Sequence, residues 1–436
     1  MPYISTNHNS PQVGLTEAIL RSIAPDKGLY MPEQLPRVPK AFIRNSVEMS
    51  LQEIAYAVCN TLLGDEIEAW MLKEVVDNAF NFDIPLVQIG GGTAVLELFH
   101  GPTLAVKDIS SRFMAQLCMQ LSRKFGRNMQ MNVLMATNGN SGGAIADAIA
   151  TLPDVNVYVL FPKNDRRHIG DNLRGTSPNV KAVEVQGNID NCKEIVRMAM
   201  SDESLRDRMH LVTANSVNIA RLIPMIAIYF HAVSRMMAEG IAPAECPVAI
   251  PVGNMTALTA AVMARRMGLP LGQLVAACNA NSHFCDFLQF GSGAMPRVTV
   301  ETYARAMDMG TPSNLPRMMH LYNGDIAAMR GDINAVSITD EQISSTIASV
   351  YSRCGYLLDP HSAVAYAALE QTYPDTTHRM LLATSHPAKS QQIVEAATGT
   401  PLKVPERLAY SSHLKRHSVK LPPTYPAFRK FLTNPN

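Results

Sequence analysis

The chain has 436 residues, 47% of them hydrophobic and 17% charged, with 38 basic against 37 acidic side chains and a formal charge of +1. That length and apolar content suit two or three packed units with real cores, and they exclude a disordered or tail-rich chain. The even charge balance supplies no global field that would draw the chain to nucleic acid or to an anionic membrane, so neither is an expected partner.

In chain order, the opening MPYISTNHNSPQ has neither a basic n-region nor an apolar h-region, so no signal peptide is expected and the cytoplasm is the expected compartment. Residues 51–80 carry apolar side chains at three-and-four spacing and predict helix. Residues 81–93, with Pro85 and the triple Gly90-Gly91-Gly92, mark an expected boundary after a largely helical N-terminal region. From there short apolar runs recur: VLELF (95–99), MNVLMAT (131–137), VNVYVLF (155–161), VKAVEV (180–185) and HLVTA (210–214). CPVAIPVGN (246–254), LVAACNA (274–280) and MLLATSH (380–386) continue the series. Amphipathic stretches such as AIADAIATL, IDNCKEIVRMAM and TALTAAVMARRMG separate them. The run LIPMIAIYFHAV (222–233) is interrupted by Pro224 and His231 and is too short to span a bilayer, which predicts a buried helix.

Strand, polar loop and helix in alternation, with continuous apolar strands, predict parallel sheets covered on both faces. Ligands in such sheets sit outside the carboxyl ends of the strands, which nominates the loops HGPTLAVKD, NGNSGG, PVGNMT and TSHPAK. The loop 138–143 closes a strand and opens a helix, and it admits two readings: a capped tight turn, or a backbone cradle for an anion. The loop 251–256 repeats the pattern, with Thr256 able to cap a helix or to meet a phosphate. Neither loop has the lysine of a Walker A loop or the GxGxxG spacing of a dinucleotide site. In ANSVNIAR (214–221), a helix beginning near Ser216 would set Arg221 about a turn and a half in, within reach of an anion at the helix start.

His100, His361 and His386 stand at strand–loop–helix junctions without a metal-ligand spacing, so no metal is expected. Asp359-Pro360 reads as an N-cap followed by proline in the first turn. Seven cysteines, odd in number and without a CxxC pair, point to buried thiols rather than a disulfide framework. The 25 methionines read as core filler.

Assembled, these segments resemble the threonine synthase family, in its bacterial and fungal branch with an extra N-terminal helical region. The resemblance runs through GLTEAILRSIAPDKGLYMPEQLP, GDEI (64–67), LELFHGPTLAVKD, TANSVNIARL, NLPRM, DPHSAVAYAAL and ATSHPAKSQQIVEA. It implies an α/β fold type II pyridoxal-phosphate enzyme, similar to the tryptophan synthase β chain, with two parallel or mixed-sheet domains. The implied division is 1–93 for the N-terminal helical region and 94–400 for the catalytic region, its small domain at about 115–235. Residues 401–436 would form a tail packing on the large domain.

The resemblance maps the Schiff-base lysine onto Lys107, in a chemistry that asks for a partly neutral amine, and burial behind Leu104-Ala105-Val106 would lower its pKa. It places Thr384 at the pyridine nitrogen of pyridoxal 5′-phosphate, Asn140 at the ring's phenolic oxygen, and Gly253, Asn254, Met255, Thr256 and Ala257 around the phosphate. The implied substrate is O-phospho-L-homoserine, converted with water to L-threonine and phosphate. Its carboxylate would lie on Thr137, Asn138 and Ser141 and its phosphate on Asn215, Ser216 and Arg221, with Lys389 a further candidate. A monomer or homodimer is expected. The chain departs from the family pattern at Val106, at Ile109-Ser110-Ser111 and at Thr256, where phenylalanine, FGG and glycine are usual. The alternatives are a related lyase or dehydratase acting on another phosphorylated or phosphono amino acid, or a catalytically silent relative.

Overall fold

The computed structural model describes residues 1–125, 130–137, 140–163, 177–291, 298–413 and 418–434. Among them the strands are β1 (Tyr3–Ser5), β2 (Tyr30–Pro32), β3 (Leu86–Gln88), β4 (Thr93–Glu97), β5 (Met131–Ala136), β6 (Val155–Pro162) and β7 (Val180–Val185). They continue with β8 (Leu211–Thr213), β9 (Val248–Pro251), β10 (Leu274–Cys278), β11 (Ile333–Ser337), β12 (Arg379–Ala383) and β13 (Val419–Leu421). β1 and β2 pair with each other, six strands align as β11-β10-β9-β12-β4-β3, and five as β13-β7-β6-β5-β8. Every pair in the two larger sheets is parallel except β3–β4, which is antiparallel.

The predicted strands reappear because their side chains are apolar on both faces: all of β5, β10 and β12 is buried. Edge strands β3, β11 and β13 escaped the sequence reading, since they are short or half-exposed and lack a continuous apolar run. The triple glycine joins β3 to β4, all three residues at positive φ.

The helical stretch expected over 51–80 is two helices, Leu51–Leu63 and Ala69–Ala79, parted at Gly64, whose φ of +62° suits glycine. Ser50 and Glu53 close a capping box at the start of the first. The segment Ile219–Ala238 is long and apolar enough to cross a membrane, but 94% of its most apolar window is buried inside the protein. Its regular helix begins at Ile223 rather than near Ser216, because Asn218 accepts the Ala220 N–H at 3.0 Å and caps a short 3-10 turn, Ile219–Arg221, instead.

The C-terminal tail corrects an expectation. Leu402 packs beside the six-stranded sheet, but β13 adds to the edge of β7, and Phe428 and Leu432 bury against the five-stranded sheet, not the larger one. β13 covers the β7 edge, and the amphipathic helix Tyr425–Thr433 lays its apolar face on the helix Ile189–Ser201.

Candidate active site

Lys107 is positioned by two neighbouring strands. The register of β4 with β12 sets Glu97 beside Ala383, so the chain segments leaving both strands run side by side. The Leu98 N–H donates to Ala383 O (2.9 Å), the Val106 N–H to Thr384 O (2.9 Å) and the His386 N–H to Leu104 O (3.1 Å). Leu104 is held at φ +56°, a costly conformation for leucine that turns the chain into the helix Lys107–Phe125. Asp108 stabilises the turn by accepting from the Thr103 N–H (2.9 Å) and hydroxyl (2.6 Å), which is the structural role its place at a helix start suggests.

Lys107 borders a cavity of about 790 Å³, counting space open to solvent, and its amine makes no hydrogen bond or ion pair among the described residues. Removal from water, and secondarily the Arg221 guanidinium, lower its pKa from 10.5 to about 8. The helix N-terminus beneath it acts in the same direction. The amine is therefore partly neutral near pH 8, as a nucleophile or base requires.

Across the cavity lie Gly253, Asn254, Met255, Thr256 and Ala257, at the start of the helix Thr256–Arg266. A Cβ on Gly253 would sit 2.9 Å from Met307 Cα, so the backbone approaches its neighbour as only glycine permits. Met255 takes φ +63° before the helix, and such an alternation of backbone conformations forms a concave nest of N–H groups. Thr384 also lines the cavity, its carbonyl spent on Val106 while its hydroxyl makes no hydrogen bond among the described residues.

Ser216 and Arg221 complete the wall. Arg221 is 3% exposed, and its Nη1 donates to Ser111 Oγ at 2.6 Å. Burial lowers its pKa from 12.5 to about 10, so it remains a cation at neutral pH, with Asp108 helping to hold the charge. Ser111 occupies a position where glycine is usual in the family, so this departure supplies the arginine with an acceptor.

Other nominated residues fall elsewhere. Asn215 ties β8 to β5 by accepting from the Ala136 N–H (3.1 Å) and donating to Ala136 O (2.8 Å). Thr137, which accepts from the Gly142 N–H at 3.2 Å, and Ser141 lie near the end of β5 and do not line the cavity. Lys389 turns inward, its Nζ donating to Thr103 O at 2.6 Å, and burial lowers its pKa to about 8. Asn138 and the Asn140 side chain lie outside the described residues.

Sequence reasoning missed several neighbours. His361 lines the cavity, pairs through Nδ1 with Asp359 and accepts the Ala306 N–H on Nε2 at 3.1 Å. The accepting Nε2 places the ring proton on Nδ1, and the pair holds the turn Arg305–Met307 over Gly253. Asp359 serves two ends, since it also caps the helix Pro360–Thr372 as its sequence context suggested. Asn314 and Arg317, behind the 253–257 loop, follow no strand; only their place in the family-like NLPRM pointed to them.

The donor set fits pyridoxal 5′-phosphate: an unpaired amine for an aldehyde, a glycine-walled cradle of backbone donors for a phosphate, and an unengaged hydroxyl for a ring nitrogen. Comparison with known proteins points the same way. Three family models match in succession: "Threonine synthase N terminus" over 2–80, "Pyridoxal-phosphate dependent enzyme" over 86–382 and "Threonine synthase, C-terminal" over 362–432. Threonine synthase of Serratia marcescens is 34% identical, over 99% of this chain and 98% of its own. The crystal structure of the Escherichia coli threonine synthase superposes with TM-score 0.91 at 32% identity over 100% of both chains. A pyridoxal-phosphate-bound threonine synthase from Brucella melitensis gives 0.89 at 30% identity, over 99% of this chain and 98% of that one. Matched end to end in sequence and in fold, the chain belongs to the threonine synthase family of pyridoxal-phosphate-dependent lyases.

Proposed function

We propose that this chain forms L-threonine and phosphate from O-phospho-L-homoserine and water at the Lys107 cavity, using pyridoxal 5′-phosphate. The observation that carries the reading is one wall holding an unpaired, partly neutral amine and a buried cation, facing a backbone cradle for a second anion. In this assignment the 253–257 loop holds the cofactor phosphate, Thr384 meets its ring nitrogen and Asn140 its phenolic oxygen. When bound, the cofactor supplies an electron sink for charge developing on the substrate.

Arg221 and Ser216 orient the substrate phosphate, with Asn215 and Lys389 supporting the loops behind them. Thr137, Asn138 and Ser141 take the carboxylate, which requires the five-stranded sheet to approach the Lys107 wall when substrate binds. That approach would also exclude water until phosphate has left. Lys107 Nζ moves the protons at the substrate α and β carbons. In the net change the γ carbon–oxygen bond to phosphate breaks and the γ carbon gains a proton, while the β carbon loses a proton and gains the hydroxyl of water, whose other proton leaves with the phosphate. A cytoplasmic monomer or homodimer suits this assignment.

Purified protein is expected to be yellow, and borohydride is expected to fix a pyridoxyl group on Lys107. A colourless protein that takes up no pyridoxal phosphate would overturn the assignment. Supplied with O-phosphohomoserine, it should release phosphate and threonine in equal amounts. Phosphate without threonine would mean an eliminating lyase, and neither product a relative with another substrate or a silent one.

A further inference from the structure

Arg317 is the largest fully buried side chain among the described residues. No carboxylate pairs with it among the described residues, and its donors all meet neutral oxygens. Nη2 reaches Val217 O (2.7 Å) and Tyr30 O (3.2 Å), Nε reaches Tyr30 O (3.3 Å), and Nη1 reaches Ser216 O (3.0 Å) and Asn314 Oδ1 (2.6 Å). Guanidinium has only donors, so it dictates which way the Asn314 amide faces. With its oxygen turned to Arg317, Asn314 presents Nδ2 to Asn254 O (2.9 Å) and to Thr256 Oγ1 (3.1 Å).

Thr256 Oγ1 must therefore accept from Asn314, which leaves its single O–H to be donated elsewhere. Thr256 lines the cavity. Its backbone N–H, the donor that a helix start would ordinarily offer an anion, is spent on Asn254 Oδ1 at 3.1 Å. The loop has one amide donor fewer for a phosphate and one hydroxyl donor in its place. The position is the one at which this chain departs from the glycine usual in its family.

We propose that Arg317 is a positioning residue which, through Asn314, makes the Thr256 hydroxyl donate into the cavity and so serve as a phosphate donor of the 253–257 loop. The inference rests on reading that loop as the cradle of the cofactor phosphate. It accounts for a charge buried without a counter-ion: the arginine acts by fixing the Asn314 amide.

The test compares cofactor-free protein binding pyridoxal 5′-phosphate with the same protein binding pyridoxal, which lacks the phosphate. The ratio of the two dissociation constants reads the phosphate contacts alone, which a general loss of stability would not move selectively. Thr256→Val should lower the preference for the phosphorylated form about tenfold or more, the value of one hydrogen bond to a charged group, while Thr256→Ser keeps it within about twofold. Arg317→Met should lower the preference in the wild-type background and leave it unchanged in the Thr256→Val background. A Thr256→Val protein with the wild-type preference would overturn the proposal, whether or not Arg317→Met folds. Equal losses from Arg317→Met in both backgrounds would show that Arg317 acts without Thr256. Failure of the wild-type protein to bind either aldehyde would instead overturn the cofactor assignment of the loop.

Discussion

A lysine whose pKa falls from 10.5 to about 8 costs the folded protein stability until it loses its proton. Between those two values the unfolded chain binds more protons than the folded one, so the Lys107 contribution to stability rises with pH across that window. Below about pH 8 the cost is fully present, up to about 3 kcal/mol in the cofactor-free protein. Lys107→Met should therefore stabilise cofactor-free protein at pH 7, with the gain fading as pH approaches 10.5. Urea midpoints over that range measure it, and a gain independent of pH would refute the account. Lys107 and Lys389 differ little in burial cause or direction of shift, yet only Lys107 keeps its amine unengaged. Titration behaviour alone does not separate a reactive lysine from a structural one; hydrogen bonding does.

At the scale of elements, function depends on where loops leave the sheets. β12 lies between β9 and β4, so the loops ending those strands converge on one cavity from three distant parts of the chain. Gly253 is the tightest point of that convergence. Gly253→Ala would push a Cβ against the Met307 backbone, and it should weaken pyridoxal phosphate binding at least about tenfold while costing roughly 1–3 kcal/mol of stability. Gly331 is the control: it lies inside the helix Ile326–Asp332, and a Cβ added there would have nothing within 4 Å, so alanine should stabilise by up to about 1 kcal/mol. Equal effects of the two substitutions on cofactor binding would contradict the steric argument. The buried strands, the helices and the three converging loops were legible from apolar runs and turn residues. The boundary of the helix after Ser216 was not, because Asn218 side-chain capping competes with helix in a way that spacing does not reveal.

At the scale of the whole molecule, the N-terminal segment and the tail brace opposite parts of the catalytic framework. Tyr30 O receives the Arg317 fork, and Asn218 Nδ2 donates to Ile19 O at 3.0 Å, so the first residues of the chain hold loops behind the cavity. The tail braces the five-stranded sheet through β13, Phe428 and Leu432. Removing residues from Val419 onward should lower the thermal midpoint and promote association through the bared β7 edge. It should leave borohydride labelling of Lys107 intact at low temperature, since that lysine belongs to the other sheet. An unchanged thermal midpoint would show that the tail does not brace the sheet.

What the sequence determined by itself was the alternation of apolar strands with helices, the loops at their carboxyl ends, and the family-like motifs that single out Lys107. Those features are local, because burial on both faces, helix periodicity and turn chemistry each act over a few residues. Tertiary structure alone decided that Lys389 serves a backbone carbonyl, that Asn215 fastens two strands, and that Ser111 meets Arg221. It also decided that the threonine in the 253–257 loop is oriented by an arginine far along the chain, since Thr256 and Arg317 meet only through Asn314. A hydrogen bond depends on direction across space, and composition and spacing carry no record of which distant donor a side chain will find.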